Sequence, residues 1–209
     1  PAPGDPPKPN CSSKKTTAAG TSRVETQTFS NRHDLDQALT THVSDRLAEA
    51  VRERGKALMV VSGGSTPLNF FGLLSQTELP WSKITVVLAD ERWVPLTDSD
   101  SNEQMVKDRL LIHHAANANY VSLKSAAETP YAGEREISER IGALGKFDVV
   151  ILGMGADGHT ASLFPGSAEL ADGLKMDSPK SAIAVTPLTA AHQRISMTLP
   201  RLLNSDEII

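Results

Sequence analysis

Three short stretches of this chain hold residue types and spacings that could do chemistry. The first is Gly153-Met154-Gly155-Ala156-Asp157-Gly158-His159, which sets an imidazole two residues after a carboxylate in a glycine-rich turn. A neutral imidazole near its pKa is suited to take a proton from water. A neighbouring carboxylate orients the ring and stabilises its protonated form. His159 is therefore a candidate general base and Asp157 its positioning partner. A lone histidine is more commonly structural or solvated, and that plainer role is assigned to His33, His42, His113, His114 and His192. Gly153, Gly155 and Gly158 also fit the dinucleotide pattern G-x-G-x-x-G. That reading is rejected, because Pro165 and Gly166 interrupt the long helix it needs and no second strand ending in an acid follows.

The second stretch is Asp90-Glu91-Arg92-Trp93-Val94-Pro95, directly after an apolar run. Two carboxylates and a guanidinium are not expected in a core, since burying them unpaired costs several kcal/mol. Arg92 could clamp a phosphate or carboxylate through two parallel hydrogen bonds. An ion pair of Arg92 with Asp90 or Glu91 fits the same residues equally well. Asp98, Asp100, Ser101 and Asn102, just downstream, read as N-capping of the next helix.

The third stretch is Ser62-Gly63-Gly64-Ser65-Thr66-Pro67. Gly63 and Gly64 allow close approach of a ligand and positive φ. Ser65 or Thr66 is a natural N-cap, and Pro67 fits a first helical turn. The following helix would aim unpaired N–H groups and its positive dipole end at the cleft, which suits a phosphate. A plain strand-to-helix turn is the alternative. The Gly-Lys-Ser/Thr ending of an ATP-binding loop is missing, and so is the G-x-S-x-G elbow of serine hydrolases. No H-E-x-x-H or Cys/His cluster points to a metal.

The elements that must carry these stretches follow from the apolar pattern. Leu35, Ala38, Leu39, Val43, Leu47, Ala50 and Val51 recur at helical spacing between Asn31 and Arg54, and Gly55 supplies the stop. Short apolar runs at Ala57 to Val61, Lys83 to Ala89 and Phe147 to Leu152 read as buried strands, with later strands at Ala182 to Val185 and Arg194 to Leu199. Helices are expected from Pro67 to Gln76, Ser101 to Ile112 and Tyr131 to Leu144. Alternating strands and helices predict an α/β fold with a parallel sheet covered on both faces. Ligands of such sheets lie beyond the carboxyl ends of the strands, which is where all three stretches fall. Residues 1–22, with five early prolines and no apolar periodicity, read as a disordered leader or an expression remnant ahead of a single domain over residues 23–209.

Composition narrows the class. With 21 lysines and arginines against 25 carboxylates the net charge is −4, which argues against a broad nucleic-acid footprint or a polybasic membrane surface. No uncharged apolar run is long enough to span a bilayer. The single cysteine, Cys11, suits a reducing, cytoplasmic setting, and the N-terminus shows no apolar signal core.

Taken together, the Ser62 to Pro67, Asp90 to Pro95, Ser101-Asn102 and Gly153 to Gly166 segments closely resemble the 6-phosphogluconolactonase family, over essentially Val24 to Ile209. Related glucosamine-6-phosphate deaminases and isomerases share a Gly-Ser-Thr-Pro turn and an Asp-Gly-His. After that histidine they typically read Ile-Ala-Phe-Asn-Glu-Pro, where this chain has Thr160-Ala161-Ser162-Leu163-Phe164-Pro165. The resemblance implies a Rossmann-like three-layer α/β/α sandwich with a mainly parallel sheet. It also implies hydrolysis of 6-phospho-D-glucono-1,5-lactone to 6-phosphogluconate in the pentose phosphate pathway, by a monomer, with no organic cofactor and no required metal. A deaminase or isomerase, or a non-catalytic sugar-phosphate-binding regulator, are the alternatives. Gly63, Gly64, Ser65, Thr66, Arg92 and Gly155 would bind substrate, and His159 with Asp157 would serve the lactone end. Family members often carry a phosphate-binding lysine before the late Arg-Ile strand, but Thr186 to Gln193 has none, so Arg194 or Lys180 is expected to supply the charge. Family chains also usually continue past the Asn204 region, so a C-terminal strand and helix are expected to be missing.

Overall fold

A computed structural model describes residues 24–209, and the proposed leader at 1–22 lies outside the described residues. The first helix, α1 (Arg32–Arg54), begins at Asn31, whose side chain accepts from the Asp34 amide. It ends at Gly55, whose φ of 74° turns the chain out of the helix. Val43, Leu47, Ala50 and Val51 form its buried face. The strand β1 (Ala57–Val61) is buried throughout, as expected of a central strand covered on both sides. The chain continues through α2 (Leu68–Ser75), β2 (Ile84–Leu88), β3 (Asp90–Arg92), α3 (Asn102–Arg109) and β4 (Asn119–Val121). It then forms α4 (Pro130–Gly142), β5 (Val149–Val150), α5 (Leu170–Leu174), β6 (Ala182–Val185), β7 (Arg194–Met197) and α6 (Leu199–Leu203).

The parallel strands run in the order β4-β2-β1-β5, with helices flanking them. Three further strands, β3-β7-β6, pair antiparallel. Ala89 joins the two sheets. Its amide donates to Val61 O of the parallel sheet, and its carbonyl accepts from Met197 N of the antiparallel one, both at 2.8 Å. Residues Ser205 to Ile209 run parallel to β5, bridging at Phe147 with Ser205 and at Val150 with Ile208. The α/β architecture matches the expectation, with several local corrections. The Asp90 segment is a strand rather than a loop, and β4, α5 and α6 are elements that no apolar period marks. The ladder at β5 keeps only two of the six residues expected, and Phe147 and Val150 also bridge to Ser205 and Ile208.

Candidate functional site

The carboxyl ends of β1, β2 and β5 open onto a cleft of about 550 Å³ lined by all three chemical stretches. Specific hydrogen bonds hold the stretches to one another. Ser62 Oγ donates to Ile151 O at 3.1 Å and accepts from the Gly153 amide at 3.2 Å, which fixes the first loop to the third. Ser162 Oγ donates to Asp90 Oδ2 at 2.5 Å, fixing the third to the second. Asn102 Nδ2 donates to Asp90 O at 3.0 Å. A Cβ on Gly63 would lie 2.0 Å from Asn102 Oδ1, so only glycine fits there. Of the two glycines expected at positive φ, only Gly64 adopts it, at 86°; Gly63 is required by close approach instead.

The turn before α2 differs in detail from its sequence reading. Pro67 itself is the N-cap residue, with no side-chain cap bond, so neither Ser65 nor Thr66 caps. The helix starts one residue later because Ser65 to Pro67 first make a separate turn, in which Leu68 N donates to Ser65 O. Thr66, Gly63 and Gly64 line the cleft, and Ser65 does not. The Gly63 and Gly64 amides have no acceptor among the described residues, which leaves them open as donors. Arg32, at the start of α1, was not legible as a site residue. It binds the Asp36 carboxylate through Nε at 3.0 and 3.1 Å and donates from Nη2 to Thr66 O, tying α1 to this turn.

The carboxylates of the second stretch are buried, against expectation. Glu91 is 0 % exposed. Its oxygens accept from the Arg92 and Glu103 amides at 2.6 Å, the Asn102 amide at 2.8 Å and Ser101 Oγ at 3.2 Å. Four donors offset much of the desolvation that unpaired burial would cost, although burial still pushes this carboxyl above its ordinary range. Glu91 thus closes the N-terminus of α3, jointly with Ser101, whose side chain caps at Gln104 N. That leaves Arg92 without a carboxylate partner among the described residues, and its Nη1 donates to Asp100 O at 2.7 Å. The ion pair of Arg92 with Asp90 or Glu91 is not formed.

Arg92 on β3 stands directly opposite Arg194 on β7 in the antiparallel register. Like charges facing one another across a strand pair are destabilising unless something lies between them. Arg194 is 9 % exposed, donates from Nη2 to Ala191 O at 3.1 Å and leaves Nε buried and, among the described residues, unpartnered, as does Arg92. Burial, and next the Arg92 charge, lower the Arg194 pKa. Two adjacent guanidinium groups with spare donors at a cleft wall suit an anion. Lys180 is elsewhere, bound to Glu134 at 2.6 Å, and it does not line the cleft.

In the third stretch, His159 Nδ1 lies 2.5 Å from Asp157 Oδ1, and the same oxygen accepts from the His159 amide at 3.2 Å. These bonds hold the Asp157 carboxyl below its usual range. An ionised carboxylate accepts, so Nδ1 carries the proton and Nε2 is left as the basic nitrogen. Gly155 makes room for this pair, since a Cβ there would lie 2.3 Å from the ring and 2.7 Å from Asp157 Oδ1. Phe164 covers the imidazole, with ring centroids 4.2 Å apart. No helix follows Gly158 directly, in keeping with the rejected dinucleotide reading.

Residues 30–209 match the family described as glucosamine-6-phosphate isomerases/6-phosphogluconolactonase. A 6-phosphogluconolactonase of Rhizobium meliloti is 44 % identical over 182 residues, covering 87 % of this chain and 78 % of the relative. One from Pseudomonas putida is 39 % identical over 84 % of this chain and 72 % of its own. The crystal structure of a 6-phosphogluconolactonase from Shewanella baltica superposes with a TM-score of 0.83 at 44 % identity, covering 86 % of this chain and 77 % of that one.

Proposed function

This chain belongs to the glucosamine-6-phosphate isomerase/6-phosphogluconolactonase family, and from that premise we propose that it hydrolyses 6-phospho-D-glucono-1,5-lactone to 6-phosphogluconate. The observation that carries the reading is the cleft itself. It has two arginines in register on one wall, without carboxylate partners among the described residues, and a carboxylate-held imidazole beside the glycine loops. A phosphorylated, neutral-headed substrate matches that division of charge.

Arg92 and Arg194 take the phosphate dianion, which relieves their mutual repulsion, and the Gly63 and Gly64 amides add donors at the start of α2. At the other end of the substrate, His159 Nε2 accepts a proton from water as its oxygen bonds to the lactone C1. Asp157 stabilises the resulting imidazolium through Nδ1–H. The tetrahedral oxyanion collapses, the bond from C1 to the ring oxygen breaks, and the imidazolium returns its proton to that departing oxygen. The new carboxylic acid loses its proton to water. The proton taken from the attacking water returns to the departing ring oxygen through His159 alone, and no oxidation state changes.

The test is hydrolysis of 6-phosphogluconolactone, corrected for its spontaneous opening, run beside glucosamine 6-phosphate. Catalysed lactone opening without ammonia release is expected. Ammonia release would move the chain to the deaminase branch, and binding without turnover of either would make it a regulator. In the same assay His159→Asn should lower kcat by about 10²–10⁴-fold, the usual worth of a general base.

A further inference from the structure

Phe164 touches both ends of the proposed site. Its ring lies tilted by 34° against His159 at 4.2 Å between centroids, and the Arg194 guanidinium carbon sits 5.7 Å from the same centroid. The ring is 8 % exposed and lines the cleft. It is anchored from behind by a small apolar cluster with Leu163, Ile183 and Val185, distinct from the main core. Ile183 and Val185 lie on β6, which pairs with the strand bearing Arg194. One aromatic plate is thus fixed to the antiparallel sheet and lies against both the imidazole and the guanidinium.

We propose that Phe164 is a positioning residue that sets the span between His159 and Arg194, and so matches the site to a substrate whose phosphate and reacting carbonyl are held a fixed distance apart. The inference rests on the phospholactonase reading above. A six-membered lactone is stiff, so once its phosphate is held, the place of C1 follows from the ring. The base must then stand within hydrogen-bond reach of a water at that place, and a misplacement of about 1 Å costs up to roughly 10²-fold in rate. A tilted aromatic contact on the imidazole and a cation over the ring fix both groups with one side chain that has few rotatable bonds. Leu163, beside it, packs within the same small cluster and does not line the cleft.

The experiment uses the whole chain with Phe164→Leu, which keeps apolar volume but loses the plate, and Phe164→Tyr, which keeps the plate. Two quantities are read: kcat on 6-phosphogluconolactone and the inhibition constant of inorganic phosphate. Phosphate alone spans nothing, so it reports the arginine pair without the imidazole. The expected result is a loss of about 10–100-fold in kcat for Phe164→Leu, a phosphate inhibition constant close to that of the unchanged protein, and recovery of most of kcat in Phe164→Tyr. Equal losses in kcat and phosphate affinity, or a kcat unaffected by Phe164→Leu, would overturn the spacing role. Absence of lactone hydrolysis by the unaltered chain would strike the function itself, and this inference with it.

Discussion

Two buried arginines, Arg201 on α6 and Arg194 on β7, show how one residue type serves two ends of the same molecule. Both are largely hidden from solvent, and burial lowers the pKa of both, to about 10 for Arg201. Neither has a carboxylate partner among the described residues. Arg201 nevertheless spends most of its donors on the protein, Nη1 alone lacking a partner among the described residues. Nε reaches Ile141 O at 3.2 Å, and Nη2 reaches Leu144 O at 3.2 Å and Gly145 O at 2.8 Å, while its guanidinium carbon lies 3.7 Å from the Phe147 ring centroid. Those carbonyls belong to the last turn of α4 and the residues after it, where orphan carbonyls and the negative end of the helix dipole favour a cation. Arg194 makes one such bond and faces another guanidinium. The Arg201 site is filled mainly by the protein's own carbonyls, three of them against one for Arg194. In the proposed function, the Arg194 site is the one that an anion would complete.

Exchanging the charges should separate these roles. Arg194→Gln should raise the KM for the phospholactone about 10–100-fold, the worth of a charge-assisted hydrogen bond, and make it less sensitive to salt. Its melting temperature should hold or rise, because the repulsion with Arg92 is removed. Steady-state kinetics at two ionic strengths, with a thermal melt, check both parts. Arg92→Met should act in the same direction. Arg201→Met should do the opposite. It leaves buried carbonyls without donors, which lowers stability by about 1–3 kcal/mol in chemical denaturation while KM stays put. The smallest effect belongs to Lys180→Gln, which removes an exposed pair with Glu134 and should leave KM unchanged. A KM effect at Lys180 equal to that at Arg194 would erase the distinction.

How much of this was legible in the sequence depended on whether the cause was local. The α1 boundaries, capped by Asn31 and Gly55, and the buried β1 run follow from nearest-neighbour rules and match. So does the meeting of the three chemical stretches, because parallel strands bring their carboxyl ends together. The Asp90-Glu91-Arg92 strand was hidden because its partner, β7, lies about a hundred residues on, and its polar residues give no alternating pattern. Glu91 read as solvent-exposed because its donors come from the backbone of Asn102 and Glu103, whose availability depends on where α3 starts. Arg32 carried no signal at all, since a charged residue in a first helical turn ordinarily faces water. Arg194 was singled out because a charge was missing from the stretch before it, an argument from what the site needs rather than from pattern.

The account stands on one arrangement, a phosphate held between Arg92 and Arg194 while C1 lies at His159. The most direct measurement is a crystal structure of the His159→Asn variant with 6-phosphogluconate bound. The predicted result is phosphate oxygens within hydrogen-bond distance of both guanidinium groups and the sugar carboxylate beside residue 159, against the Gly155 loop. A phosphate bound away from Arg194, or a sugar lying with its carboxylate at the arginine pair, would contradict it.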